Sequence, residues 1–245
     1  MTLNCVVWRM TAMRTKLSLA TLLAMAALDR RDPYRREIRR WPRAAMPDRR
    51  KLHEVLVPGL ITKSLDIETW PDFARLVEAH NGVWGGCWCM AFHAKGEGWG
   101  KSAKKNRQEK ECLVREGRAH AALVFDGSDC VGWCQFGSPE ELPRIKNRRT
   151  YLSTNPSLPD WRITCFFSGK GYRGKGVASA ALAGALDQIG KLGGGRVEGY
   201  PEDTEGRKVS GSFLFNGALS TFERHGFTRS RPIGKHKWVV TRTVP

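Results

Sequence analysis

The sequence predicts a mixed α/β (α+β) domain over residues 59–245, and three features predict it. Short β-prone apolar runs alternate with helix-patterned segments. Two apolar runs, 119–125 and 130–136, flank Asp126-Gly127-Ser128-Asp129, the pattern of a hairpin turn. An apolar strand at 161–167 passes through a basic, glycine-rich turn straight into an amphipathic helix at 177–192.

The elements follow in order. Residues 60–65 read as a strand. Asp66 is a candidate N-cap, and Trp70, Phe73, Leu76 and Val77 recur at helical spacing until Asn81-Gly82. A segment rich in sulfur and aromatic rings, residues 84–93, precedes a second helix over 102–116. After the hairpin, residues 138–159 are polar and hold four prolines, so they read as a long loop with one helical turn near Glu140. In the helix at 177–192, Ala181, Leu182, Ala185, Leu186 and Ile189 mark the apolar face, and Gly193-Gly194-Gly195 ends it. A strand at 196–200 is stopped by Pro201. A short helix at 218–225 is stopped by Gly226, and strands at 227–228 and 237–243 close the chain.

Of 245 residues, 41% are hydrophobic, enough for a core without disulfide support, and the composition excludes collagen-like and low-complexity classes. Formal charge is +17, but it is spread: residues 1–50 hold 12 basic and 4 acidic residues, and the remainder is also net positive. A cationic surface with a basic extension accounts for this, and nucleic acid is not expected as the partner. Seven cysteines sit mostly in apolar runs, which fits reduced thiols in a cytoplasmic protein.

Residues 1–58 read as a basic extension outside the domain. Leu17–Leu28 is apolar but too short to span a bilayer. It reads as the centre of a secretory signal, as part of a disordered or mis-started extension, or as a basic arm. No membrane partner is expected.

The turn Gly171-Tyr172-Arg173-Gly174-Lys175-Gly176 carries most information. The first amides of a helix lack internal partners, the helix dipole adds positive potential there, and glycine lets a phosphate approach the backbone. Lys170, Arg173 and Lys175 add charge. A P-loop is excluded, because Val177-Ala178 follows the last glycine where Lys-Ser or Lys-Thr is needed. A dinucleotide turn lacks its third glycine.

Arg173-Gly174-Lys175-Gly176-Val177, placed between strand and helix, resembles the pyrophosphate loop of the GNAT superfamily of N-acetyltransferases. A second resemblance lies in Ala218-Leu219-Ser220-Thr221-Phe222-Glu223-Arg224-His225-Gly226-Phe227, which is similar to that family's closing helix. The segments 85–90 and 132–134 resemble an uncharacterised bacterial branch of it. The resemblance covers about residues 60–245. It implies a mostly antiparallel sheet, splayed in a V between the strands at 161–167 and 196–200, with flanking helices.

It also implies acetyl-CoA as co-substrate and a primary amine as acceptor, by direct attack in a monomer or homodimer. Cofactor contacts would come from Cys165, Phe166, Phe167, Tyr172, Arg173, Gly174, Lys175, Gly176, Val177, Ala178, Asn216 and Phe222. The pantetheine arm would pair with backbone of 165–167, and the Phe167 amide would face the oxyanion. Position 171 departs from the family's Gln or Arg, and Phe222 stands where its tyrosine acid stands. Tyr200 is the substitute acid, and Asp160 and Glu198 are candidate bases. Trp84, Cys87, Trp88, Cys89 and Met90 line the acceptor pocket or belong to the core. Cys87, Cys89 and His93 do not have the spacing of a structural metal site, so no metal is expected. Two other readings stay open: a non-catalytic acyl-CoA-binding module and a basic nucleic-acid binder.

Overall fold

The structure, a computed structural model, describes residues 59–94, 102–154 and 157–245. The readings of the first 58 residues lie outside the described residues.

A seven-stranded sheet organises the domain. Its strands are β1 (Leu60–Ser64), β2 (His120–Asp126), β3 (Asp129–Gly137), β4 (Trp161–Ser168), β5 (Gly195–Gly199), β6 (Thr228–Gly234) and β7 (Lys237–Val244). Their order is β1-β2-β3-β4-β5-β7-β6. Every neighbouring pair is antiparallel except β4 and β5. That pair is parallel because a helix crosses over between the two strands. The hairpin turn falls as its sequence predicts, with Asp126 opposite Asp129 and Gly127 at φ 58°.

The helices are α1 (Trp70–Glu78), α2 (Ala103–Arg115), α3 (Arg148–Leu152), α4 (Val177–Lys191) and α5 (Leu219–Arg224). One face of the sheet packs on α4, whose Ala181, Leu182, Ala185 and Ile189 meet Val124, Val131, Cys134 and Ile163. Gly184 lets the helix approach β1, since a Cβ there would lie 2.8 Å from Thr62. The other face packs Trp70, Phe73, Val77, Trp88 and Met90 around Trp133. A third cluster joins Ile145, Tyr151, Tyr200, Ile233 and Val239.

Several boundaries differ from the sequence reading. Asp66 does not cap α1; its Oδ1 accepts the amides of Glu68 and Thr69, and the helix begins after Thr69. The long loop contains α3, and β6 runs to Gly234. β6 is an edge strand of charged residues with a proline, so its pattern reads as loop.

The sheet opens at β4. Only Trp161, Arg162 and Ile163 pair with β5, opposite Val197, Glu198 and Gly199. Pro201, which has no amide hydrogen, follows as the chain leaves the sheet. A bulge places Thr164 between the paired residues Ile163 and Cys165 at this same point, and bulges increase local twist. From Thr164 onward β4 has no strand on its β5 side among the described residues.

Candidate active site

The wide end of the split is the glycine-rich turn. Gly169 N–H donates to Val131 O at 2.8 Å, Tyr172 N–H to Gly169 O at 3.1 Å and Lys175 N–H to Tyr172 O at 3.3 Å. Gly171, Gly174 and Gly176 have φ of 85°, 77° and 79°, the left-handed region that favours glycine. The first bond of α4 is Ala180 N–H to Gly176 O, and Gly176 offers no side-chain cap. The amides of Gly174, Gly176, Val177, Ala178 and Ser179 therefore have no acceptor among the described residues. A Cβ on Gly171 or Gly174 would meet nothing within 4 Å, so the space above them is open. The turn is anchored from outside by Lys170 N–H donating to His80 Nε2 at 3.0 Å and Tyr172 OH donating to Asp126 Oδ2 at 3.1 Å.

A polar cluster sits at the narrow end. Glu198 is 0% exposed. Its Oε2 accepts Tyr151 OH at 2.8 Å and Tyr200 OH at 3.2 Å, and its Oε1 lies 3.4 Å from Arg196 Nη1. Arg162, opposite Glu198 in the ladder, donates to Leu142 O at 2.8 Å and lies over the Tyr151 ring. Burial pushes the Tyr200 phenol well above its ordinary range; Arg162 opposes this, and the Glu198 and Tyr151 charges add to it. Burial and then Glu198 also raise Tyr151. Both phenols keep their protons at neutral pH. The arrangement offers a carboxylate to take a proton and a phenol to give one.

The structure thus brings two predicted residues, Glu198 and Tyr200, together. It does not bring Asp160 to them. The Asp160 carboxylate turns back to accept the Arg196 amide at 2.7 Å and packs against Gly195, so it braces the start of β5. Nor is the β4 edge open along 165–167: Phe166 N–H donates to Phe215 O at 2.7 Å. Strand alternation turns the Cys165 and Phe167 amides toward β3, which removes Phe167 as an oxyanion donor. Asn216 is engaged at both ends of its amide, donating to Thr164 O at 2.5 Å and accepting from Lys237 Nζ at 3.1 Å. Phe222 is buried in the core, its ring set against Gly199, Gly217, Phe166 and Phe227.

The pocket-lining reading of residues 87–90 is corrected likewise. Cys87, Trp88, Cys89 and Met90 are buried in the core, and Trp84 is half-buried against Phe215. Tyr151 and Arg162 were missed. Tyr151 lies in a polar loop with no apolar periodicity, and an arginine in a buried strand gives no hint of its partners. Among the described residues, no group of three His, Cys, Asp or Glu side chains is placed to hold a metal, and no helix is long and apolar enough to cross a membrane.

Fold and cleft together define a mixed α/β protein whose sheet is opened beside a basic, glycine-rich turn with unpartnered amides. No protein-family model matches the chain, and no curated protein sequence does. Solved structures similar to it are acetyltransferases. One from Thermus thermophilus is 13% identical, with a TM-score of 0.43, covering 76% of this chain and 98% of that one. A GNAT-family acetyltransferase from Streptococcus pneumoniae is 13% identical, with a TM-score of 0.44, covering 76% and 99%. A proposed acetyltransferase from Salmonella typhimurium, solved with acetyl-CoA, is 12% identical, with a TM-score of 0.45, covering 76% and 95%.

Proposed function

We propose that the chain is a GNAT-type N-acyltransferase that moves the acyl group of acetyl-CoA to a primary amine. One observation carries the reading. A run of unpartnered amides with Arg173 and Lys175 marks one end of the sheet split, and the Glu198–Tyr200 pair marks the other. The first suits a diphosphate and the second suits proton transfer during aminolysis of a thioester.

In the reaction the amine nitrogen attacks the thioester carbonyl, and the carbon–sulfur bond of CoA breaks. Glu198 takes the proton that the amine must lose. Tyr200, held as a phenol, supplies a proton to the leaving thiolate, the role that Phe222 cannot fill. Tyr151 holds the Glu198 carboxylate in place. The extended arm would lie along β4 from Thr164 to Ser168, where Phe215 and Asn216 now sit. The proposed setting is cytoplasmic, as a monomer or homodimer.

Phe222, a ring without a proton to give where the family places its tyrosine acid, favours a second reading, a non-catalytic acyl-CoA-binding module. Calorimetry with acetyl-CoA and acetyl transfer to a panel of amines separate the two. Binding with turnover on at least one amine supports the enzyme. Binding without turnover on any supports the module. Absence of binding to acetyl-CoA and longer acyl-CoAs refutes both.

A further inference from the structure

No disulfide joins the described cysteines, yet two of them touch. Cys89 and Cys165 lie 76 positions apart in sequence, and their Sγ atoms are 3.1 Å apart. They are 2% and 3% exposed. The Trp133 indole N–H also donates to Cys89 Sγ, at 3.1 Å. Lys110 is buried in the same cluster, donating to His93 Nε2 at 3.0 Å and to Gln135 Oε1 at 2.9 Å, and its charge acts on both thiols. Burial, then the Lys110 charge, pushes His93 down to about 2, so it stays neutral and accepts.

The two sulfurs are held unequally. Burial pushes the Cys89 thiol up, but Cys165, Lys110 and Trp133 together outweigh it, and the net shift is down. Contact with Cys89, then burial, holds Cys165 well above its ordinary value. Of the two thiols Cys89 is therefore the more readily ionised, its thiolate favoured by the Lys110 charge, and Cys165 holds its proton more tightly. A buried ammonium costs several kcal/mol unless its surroundings compensate. Apolar residues would fill this space without that cost. The acyl transfer proposed above uses none of these groups. Backbone strain also holds Cys89 against β4: Val83, Trp84, Trp88 and Cys89 all have φ between 48° and 55°.

We propose that Cys89 and Cys165 form a redox-active dithiol site whose oxidant is a small peroxide. The Cys89 sulfur attacks one peroxide oxygen and the O–O bond breaks. This leaves a sulfenic acid on Cys89 and a hydroxide that takes a proton from Lys110. Cys165 then gives its proton, by way of Lys110, to the sulfenic hydroxyl, which leaves as water as the Cys165 sulfur displaces it. Two sulfurs are oxidised, one hydrogen peroxide becomes two waters, and Lys110 ends as the neutral amine, a form that burial favours. The product ties the 83–93 segment to β4 within the core around Trp133. Burial excludes bulky oxidants such as glutathione disulfide.

The test treats the full chain with hydrogen peroxide, alkylates it under denaturing conditions, digests it without reduction and maps linked peptides by mass spectrometry. A Cys89–Cys165 linked peptide that disappears with dithiothreitol is the expected result. C89S and C165S should each lose it, and C112S, at an exposed position, should keep it. The wild-type map needs no variant to fold. A peroxide dose that oxidises Cys112 yet leaves Cys89 and Cys165 fully alkylated overturns the proposal. The readout involves no acyl-CoA, so it stands or falls apart from the transferase reading.

Discussion

Tyr200→Phe removes one hydroxyl and leaves the ring's packing with Ile145, Tyr151, Ile233 and Val239 in place. Its effect on stability can be worked from Glu198. A hydrogen bond to a charged group contributes about 1.5–3 kcal/mol. This one is long, at 3.2 Å, and the same oxygen keeps the 2.8 Å bond from Tyr151. The loss should sit near the low end, roughly 1.5 kcal/mol, or about 3–6 °C in Tm for a domain of this size. Loss of a general acid lowers kcat by about 10²–10⁴, equivalent to roughly 3–5 kcal/mol of barrier. Tyr151→Phe should show the reverse pattern. It loses the shorter bond, so stability falls by about 2 kcal/mol, while kcat falls less than about 10-fold. Calorimetric melting and a thiol-release assay on the same preparations read both quantities. The reasoning is refuted if Tyr200→Phe retains kcat within about 10-fold, or if the two variants lose kcat equally.

Other outcomes follow from named contacts. Burial, then Arg242 and Arg224, lowers His225 from 6.5 to about 4. Below pH 6.5 the unfolded chain takes a proton that the fold refuses, so this stability is complete above 6.5 and is lost as pH falls toward 4. Between pH 7 and 5, wild type should lose about 2 kcal/mol more than His225→Gln in urea titrations, and parallel pH profiles would exclude the assignment. Gly199→Ala drives a Cβ into the Phe222 ring, which Phe166 and Phe227 hold in place. Chemical denaturation should show a loss of about 1–3 kcal/mol, partly restored by adding Phe222→Leu. Arg173→Ala should weaken acetyl-CoA binding by about 10-fold in calorimetry, with the melting temperature unchanged. An unaltered affinity would remove Arg173 from the anion site.

What could be read in advance was local. The turn at 171–176 announces itself because the need for glycine and the basic side chains lie within a few consecutive residues. The hairpin at 120–137 and helix α4 declare themselves by period. What could not be read depends on direction or on distant partners. The chain order puts Asp160 just ahead of β4, but nothing in it says that the carboxylate bends back to Arg196. Tyr151 acquires its role from Glu198, 47 positions away. The ring- and sulfur-rich stretch at 84–93 is apolar enough for either a pocket wall or a core. Only the left-handed residues that coil it against Trp133 decide for the core.

The carbonyl of Phe215 on the amide of Phe166 has a kinetic consequence. Any extended chain that docks along this part of β4 must replace an intramolecular partner, so association becomes an exchange. Its observed rate should rise with ligand concentration and then level off at the rate at which Phe215 lets go. Asn216→Ala, which loosens the same stretch from Thr164, should raise that ceiling and steepen the initial slope with it.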